Sequence, residues 1–429
     1  MNFFTYLKNN RYVNQIATLA SGTSVGHLIT MAAYLVITQL YDPVHIGDFS
    51  FFHSASVILV ILGTLTYEYA IVLPKSKKNG LHLFALTLGL CILFSFLLYL
   101  IFFPFADLIA SYFNVSGLVV FLIPLGVLFI GTFNALTYWL VRTDDYKSLS
   151  YGKILQSGST AAFQILAGLG NWLSLGMIGG YLGGRFTANI YLLLRGQLTK
   201  KVFDHFSFKR LKVLAKKYSE QPKFITISRL LSQGAIEIPV FLISFLFNNQ
   251  LLGFYGLAYR LLSVPSSFLG TSVGHVSYKH FTDRYQKGQK ITAFLLKTWG
   301  GLFVTGLLPM VLILFFGEDL FAFVFGEKWI AAGTIASIMA PVLLLKFVTA
   351  PTEKVLLVLN LQKVVPFFSF VDFVVRVSGL LIGYLYNDFY LGIILMTAFQ
   401  GGAIILLNSY ILYQVHKSDS TQNRSIRNG

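Results

Sequence analysis

The sequence predicts an all-α, polytopic membrane protein of about 12 transmembrane helices, arranged as two bundles of six. Only 12% of its residues are charged, about half the proportion found in a soluble domain, and the mean hydropathy is +0.69. The apolar residues form continuous runs of about 20, the length that a helix needs to cross a bilayer. One long basic loop, residues 195–223, divides these runs into two equal sets.

Each apolar run is continuous, whereas the strands of a membrane barrel alternate between apolar and polar residues. The predicted helices lie at residues 16–40, 46–73, 81–103, 115–140, 150–170, 172–194, 223–247, 251–276, 291–316, 329–351, 364–386 and 389–414. Residues 1–15 lack the apolar core and cleavage site of a signal peptide, so the first run is expected to remain as a helix.

The loops between these helices differ in charge in a regular way. Counting from the N-terminus, every second loop carries lysine or arginine, and nine of these cations lie in residues 195–223. The loops of the other set contain Lys328 alone. Because Lys and Arg are retained on the cytoplasmic side, both termini and the central loop are expected to be cytoplasmic. The same bias accounts for the net charge of +16, so no nucleic-acid partner is expected.

The helices and loops predict four regions: an N-terminal lobe at 1–196, a linker at 197–222, a C-terminal lobe at 223–415 and a cytoplasmic polar tail at 416–429. Within the linker, apolar and basic residues interleave over 206–217. This pattern indicates a short amphipathic helix lying on the anionic cytoplasmic leaflet. An unstructured basic linker is the alternative.

The two lobes show a weak internal repeat. Gly47-Asp48-Phe49 opens the second predicted helix, and Gly253-Phe254-Tyr255 opens the eighth, 206 residues later. Since each lobe has an even number of helices, the repeats would be parallel and related by an axis along the membrane normal. In the sixth helix Gly176, Gly180 and Gly184 recur at every fourth position, a spacing that lets membrane helices pack closely.

Charged side chains at membrane depth are the candidates for function, because such charges are costly and usually face a cavity or a partner. The candidates near the cytoplasmic side are Glu68, Arg229, Lys297 and Lys346, and those near the midplane are Arg185, Glu237, Arg260, Asp372 and Arg376. The lysines of the first group lie close enough to the headgroups for their side chains to reach them.

Two carboxylates can partner midplane arginines. Asp372 and Arg376 are spaced i, i+4 and can neutralise each other on one helix face. Glu237 and Arg260 lie on successive helices and can pair across them. Arg185 has no evident acidic partner, so three midplane arginines face two carboxylates. A cavity lined in this way favours an anion, and guanidinium groups suit phosphate through bidentate hydrogen bonds.

Motifs of enzyme chemistry are missing from the sequence. It has no P-loop and no cluster with metal-ligand spacing, and its single cysteine, Cys91, cannot form an internal disulfide. No catalytic residue, metal site or cofactor is therefore assigned, and the protein is not expected to be an enzyme. Coupling to protons or sodium ions through Glu68, Glu237 or Asp372 stays open.

Three stretches resemble the Wzx-type polysaccharide flippases of the multidrug/oligosaccharidyl-lipid/polysaccharide (MOP) exporter superfamily. They are residues 67–75 (YEYAIVLPK), 257–265 (LAYRLLSVP) and 326–329 (GEKW) with the Ala340-Pro341 pair beyond it. The resemblance in layout covers residues 1–415. It implies two six-helix bundles that form a V around a cavity opening alternately to each side. The implied cargo is an undecaprenyl-pyrophosphate-linked oligosaccharide, turned to the outer leaflet of the bacterial inner membrane.

The same resemblance makes Arg260 the first candidate for contact with the cargo. It also implies a product such as O-antigen, capsule or exopolysaccharide, with a polymerase and a chain-length regulator as further partners and a monomer as the functional unit. Membrane lipids would surround the cargo's tail as it passes between the first, second, seventh and eighth helices.

Two other functions stay open from the sequence. A drug or cation antiporter of the same superfamily would use Glu68, Glu237 and Asp372, but the cationic surplus disfavours cationic cargo. A membrane polysaccharide polymerase usually has a large outer loop, and the longest outer loops expected here are about a dozen residues.

Overall fold

The computed structural model of the protein describes residues 11–196, 198 and 207–427, with side chains at all of these positions except 11–17, 221, 264–276, 279, 353, 363 and 421–427. Within this part of the chain the regular secondary structure is entirely helical, as the continuous apolar runs predict. Phe206, which begins the interleaved stretch of the linker, lies outside the described residues.

Fourteen α-helices follow one another along the described residues. They are α1 (Arg11–Leu40), α2 (Pro43–Thr64), α3 (Lys77–Tyr112), α4 (Gly117–Arg142), α5 (Tyr146–Leu169), α6 (Leu173–Arg195), α7 (Phe208–Lys217), α8 (Thr226–Leu246), α9 (Asn249–Gln286), α10 (Thr292–Phe325), α11 (Ile330–Thr349), α12 (Thr352–Val358), α13 (Val365–Leu385) and α14 (Phe389–Arg427). Short segments of 3₁₀ helix lie at Tyr67–Val72, Glu327–Trp329 and Gln362–Val364, and a π turn at Gln221–Ile225 leads into α8.

A long helix lies at the position of every predicted apolar run. Among the described residues, nine helical segments are long and apolar enough to cross a membrane. They include α2, α3, α4, α10 and α13, most of α1 and α14, and the segments Pro222–Leu246 and Glu327–Val358. Helices α5, α6 and α9 coincide with predicted runs but are not among the nine. The all-helical, multi-pass class is therefore confirmed, and the count of 12 crossings stays a prediction.

The chain forms two compact units, Met1–Gly253 and Phe254–Gly429. In the first unit α5 packs against α1 and α6, α3 packs against α4, and α8 packs against α2. In the second unit α11 packs against α10 and α14, and α13 packs against α14. The division into lobes at residues 196 and 223 stays a prediction.

Helix α2 ends earlier than its apolar run predicts. The run extends to residue 73, but Leu65 and Thr66 have left-handed φ angles of 47° and 53°, which stop the helix. The chain continues as the 3₁₀ segment Tyr67–Val72. Arg142, at the end of α4, donates three hydrogen bonds of 2.6–2.9 Å to backbone carbonyls within residues 71–76. These bonds hold the segment against the end of α4.

The glycines of α6 bring it close to α5. A Cβ atom at Gly180 would lie 2.6 Å from the backbone nitrogen of Gln164, and one at Gly184 would lie 2.6 Å from the backbone nitrogen of Thr160. Carbon atoms cannot approach backbone atoms so closely without displacing them, and Gly176 is likewise closely surrounded. The predicted small-residue face of α6 is therefore a helix contact.

The predicted repeat coincides with a reciprocal contact between the first turns of α2 and α9. A Cβ atom at Gly47 would collide with the backbone carbonyl of Asn249, and a Cβ atom at Gly253 would collide with that of Pro43. The repeat offset of 206 residues carries each of these contacts onto the other. Asp48 accepts a hydrogen bond of 2.7 Å from Asn249 Nδ2 at the same place. All of these residues lie within the first unit, and the parallel repeat stays a prediction.

Helix α7 is amphipathic, as the linker sequence predicts, and two leucines of its apolar face pack against the protein; its location on a leaflet stays a prediction. Leu211 and Leu214 pack against a hydrophobic cluster that includes Trp139. The Tyr67 hydroxyl donates a hydrogen bond of 2.9 Å to the carbonyl of Ala215. The apolar stripe is therefore used to dock α7 onto the first unit, and the basic residues of α7 remain outside.

A substitution at the α5–α6 contact tests this packing. We expect Gly180→Ala to destabilise the protein by about 1–3 kcal/mol, because the added methyl group meets backbone rather than a movable side chain. The matched control is Gly179→Ala on the same helix, where an added Cβ has no neighbour within 4 Å. Thermal unfolding in detergent measures both. Equal melting temperatures for the two variants would show that the two helices are not in close contact at Gly180.

Candidate functional site

The first unit contains a polar cavity of about 510 Å³. Helices α1, α4, α5, α6 and α8 and the 3₁₀ segment contribute its walls. The lining residues are Thr23, Gly26, His27, Thr30, Glu68, Tyr69, Phe133, Asn134, Thr137, Tyr138, Lys153, Gln156, Ser157, Arg185 and Arg229. Three of these are lysine or arginine and one is a carboxylate, so the lining carries an excess of basic groups.

Lys153 and Arg185 are held on neighbouring helices by different means. Lys153 Nζ donates a hydrogen bond of 2.9 Å to Thr23 Oγ1 on α1. The guanidinium of Arg185 lies 4.6 Å from the centre of the Phe133 ring and 5.4 Å from that of Tyr181, and its Nε donates a 3.1 Å hydrogen bond to the Tyr181 hydroxyl. Neither cation has an acidic partner among these contacts, so both charges are available to a ligand.

Arg229 and Glu68 meet on another wall of the cavity. The Arg229 guanidinium lies 5.7 Å from the centre of the Tyr69 ring, and Tyr69 in turn contacts the Tyr138 ring edge-on at 4.9 Å. Glu68, the residue before Tyr69, is 5% exposed and lies within electrostatic range of Arg229. The left-handed turn after α2 is what brings Glu68 and Tyr69 to this wall.

Two buried oxygen atoms on the cavity lining have no hydrogen-bond partner among the described residues. They are Glu68 Oε2 and Thr137 Oγ1. Buried polar atoms are normally paired, with protein, water or a ligand. The Thr137 hydroxyl can donate to an acceptor, as the three cations of the lining can, whereas Glu68 Oε2 can only accept a hydrogen bond.

The second unit contains a separate charge cluster around Arg376. This side chain is 2% exposed, and its Nε donates a 3.0 Å hydrogen bond to Asp372 Oδ2. Gln400 Nε2 donates to the other oxygen of Asp372 at 2.8 Å. Lys346 lies within electrostatic range of both charges. The predicted pair of Asp372 and Arg376 is therefore confirmed, and it serves to neutralise a buried arginine.

The remaining candidates lie apart from the cavity lining. Glu237, on α8, accepts hydrogen bonds from Ser54 Oγ at 2.6 Å and Gln233 Nε2 at 2.8 Å. Lys297 is exposed on α10, and Arg260 is half-buried on α9 in the second unit. The pairing of Glu237 with Arg260 stays a prediction.

Lys153 is the functional candidate that the sequence reasoning missed. With the fifth helix expected to begin at residue 150, Lys153 falls at its cytoplasmic end and counts with the loop cations Arg142 and Lys147. Helix α5 begins at Tyr146 instead, with Asp145 Oδ1 accepting from Ser148 N as an N-terminal cap at 3.1 Å. The Asp145 cap is a recognisable sequence signal, and it places Lys153 two turns inside the helix.

Comparisons with known proteins agree on the family and on the fold. The family model described as polysaccharide biosynthesis protein matches residues 75–334. Over 132 residues the chain is 31% identical to the teichuronic acid biosynthesis protein TuaB of Bacillus subtilis (strain 168), which covers 30% of this chain and 27% of TuaB. The alignment thus spans about a quarter of that relative's length.

Two solved structures share the fold over nearly the whole chain. One is the inward-facing conformation of a multidrug resistance MATE family transporter of the MOP superfamily, with a TM-score of 0.66, 15% identity and 95% of each chain covered. The other is the lipid II flippase MurJ in an inward closed conformation, with a TM-score of 0.66, 14% identity, and 96% of this chain and 88% of that chain covered. The predicted MOP-type fold is confirmed.

The charge pair of the second unit gives a test of its structural role. We expect Asp372→Asn to lower the stability by on the order of 3–5 kcal/mol, because it leaves Arg376 buried without a counter-charge. The double variant Asp372→Asn/Arg376→Gln should recover part of that loss. Thermal unfolding in detergent measures the difference, with Lys297→Gln as the control at an exposed cation of the same unit. A double variant no more stable than either single variant would contradict a neutralising role.

Proposed function

The chain belongs to the polysaccharide biosynthesis protein family, and we propose that it acts as a flippase for a lipid-linked polysaccharide precursor. The observation that carries the proposal is the cavity of the first unit, where three cations face one carboxylate. A precursor attached to its lipid through phosphate presents an anion that these cations can hold. The membrane-embedded chain provides the bilayer setting in which the lipid part of the cargo can remain.

The cavity suits a phosphate group in its chemistry as well as its charge. The planar guanidinium of Arg185 can donate two parallel hydrogen bonds to phosphate oxygens, and Lys153 adds a compact charge from the neighbouring helix. The rings of Phe133 and Tyr181 orient Arg185 without neutralising it. Cation–π contacts of this kind contribute roughly 0.5–2 kcal/mol each. That is enough to orient the Arg185 side chain, and it is weaker than the attraction between the guanidinium and a pyrophosphate.

A more specific proposal concerns which cargo is transported and in which direction it moves across the membrane. We infer an undecaprenyl-pyrophosphate-linked oligosaccharide that is moved from the cytoplasmic to the outer leaflet of the bacterial inner membrane, with both protein termini in the cytoplasm. Asn134, Gln156 and Ser157 line the same cavity and offer hydrogen-bonding groups to sugar hydroxyls. The assembled product would be a surface polysaccharide such as O-antigen, capsule or exopolysaccharide.

A drug or cation antiporter is less well supported by the same cavity. A cationic drug would meet Lys153, Arg185 and Arg229, and only Glu68 would attract it. Like charges that are close together repel strongly in a site of low dielectric constant. Glu68 fits better as an internal counter-ion to Arg229, and it is the first candidate if transport is coupled to protons. Arg260 remains a proposed second contact for the cargo.

Substitution of the two unpaired cations tests the proposal. We expect Lys153→Gln and Arg185→Gln each to weaken binding of undecaprenyl pyrophosphate by about ten- to a hundredfold, the effect of losing one charged hydrogen bond. Arg185→Lys should fall between wild type and Arg185→Gln, since it keeps the charge and loses the planar donor pair. Binding to the purified protein and display of glycan at the cell surface provide the two readouts.

Lys147→Gln is the matched control, because Lys147 is an exposed cation in the first turn of the same helix. It should bind and export like wild type. If both cavity variants bind the pyrophosphate lipid as tightly as Lys147→Gln, the cavity is not the cargo site. If they instead increase sensitivity to cationic dyes while glycan display is unchanged, the antiporter is the better assignment.

A further inference from the structure

Helix α7 has a second face that the docking of its apolar stripe leaves exposed. Leu211, Leu214 and Ala215 point towards the protein. Lys209, Lys212 and Lys216 are exposed on the other side of the helix, about one turn apart along it. An amphipathic helix normally presents its apolar stripe to a membrane, but here that stripe is already covered.

A neighbouring stretch extends this charged face. Arg210 Nε donates a 2.8 Å hydrogen bond to Asn79 Oδ1, and the backbone nitrogen of Ser207 donates a 3.2 Å hydrogen bond to His82 Nε2. These bonds place α7 beside the start of α3. The exposed residues Lys75, Lys77 and Lys78 precede that point. We call the exposed cations of residues 75–78 and 209–217 the basic surface.

The basic surface contains no compensating acid in its own segments. Residues 73–82 and 207–219 hold eight lysines and arginines and neither aspartate nor glutamate. Large apolar side chains stand among these charges: Phe208 is 76% exposed, Val213 is 60% exposed and Leu73 is 53% exposed. An exposed phenylalanine stays in water on a surface that faces only solvent. On a surface at the membrane interface, such a group is buried among the lipid headgroups.

We propose that the basic surface binds the headgroups of anionic phospholipids, with Phe208 and Val213 inserted between them. Charge complementarity supports this occupant, because clustered lysines beside a membrane attract anionic lipid. The mixture of cations with single apolar side chains is suited to a bilayer surface more than to a uniformly charged polymer. The proposal concerns resident lipids and does not depend on the identity of the transported cargo.

A lipid-contact measurement on the full chain tests the proposal. Cys91 is buried, so the variant Val213→Cys can be labelled selectively with a bimane fluorophore. The labelled protein is placed in nanodiscs of phosphatidylcholine containing a small fraction of brominated phosphatidylglycerol or, in parallel, brominated phosphatidylcholine. We expect the anionic brominated lipid to quench the label several-fold more strongly at equal mole fraction, and the preference to fall as salt is raised.

Charge variants separate lipid binding from mere proximity. In the labelled protein, Lys209→Gln/Lys212→Gln should lower the preference for the anionic lipid by roughly five- to twentyfold, given about fivefold for each charge. Lys209→Arg/Lys212→Arg should retain it. The matched control is Lys287→Gln/Lys290→Gln, which removes two exposed cations from a loop of the other unit, and it should leave the preference unchanged.

Two outcomes would overturn the proposal. Equal quenching by the neutral and the anionic lipid would mean that the surface touches the bilayer without recognising charge. No quenching by either lipid would mean that the basic surface faces solvent, where an acidic protein or polymer would be its partner.

Discussion

The cost of placing charge at membrane depth is the constraint on which this structure depends. A buried charge must have a counter-charge, a set of dipoles or a guest. The second unit uses the first solution, since Asp372 neutralises Arg376 and Gln400 fixes Asp372. In the first unit the charges are stabilised by dipoles and aromatic rings. Lys153 donates a hydrogen bond to a hydroxyl, and the Arg185 guanidinium lies over the Phe133 ring. The same kind of residue is thus structural in one unit and available for binding in the other.

Backbone geometry decides which residues face the cavity. Had α2 continued through residues 65 and 66, Glu68 and Tyr69 would have projected from a regular helix. The two left-handed residues turn the chain into a 3₁₀ segment instead. One side of that segment lines the cavity through Glu68 and Tyr69, and Tyr67 on its other side holds α7. The linker and the cavity therefore share one short structural element.

Most of the architecture could be predicted because hydropathy and loop charge depend only on the order of residues along the chain. The continuous apolar runs locate the helices, and the glycine spacing of α6 identifies its contact with α5. The i, i+4 spacing of Asp372 and Arg376 was sufficient to predict their pair. Local rules of this kind need no knowledge of which helices become neighbours.

The site was harder to predict because it depends on tertiary contacts. The depth of a charge along its helix identified Arg185 but ranked it equally with Arg376, since depth does not reveal a partner. The start of α5 lies four residues earlier than predicted, which places Lys153 two turns inside the helix rather than at its cytoplasmic end. The docking of α7 was also unforeseen, because an amphipathic stripe fits a bilayer and a protein surface equally well. Sequence periodicity shows that a face is apolar and does not show what covers it.

The central claim is that the cavity of the first unit holds the charged group of the cargo. A structure determined with a lipid-linked pyrophosphate bound to the protein tests it most directly. We expect phosphate density within hydrogen-bonding distance of Lys153 Nζ and the Arg185 guanidinium, with Glu68 turned away from it. Phosphate density among Lys346 and Arg376 of the second unit, with the cavity of the first unit filled only by water, would contradict this claim.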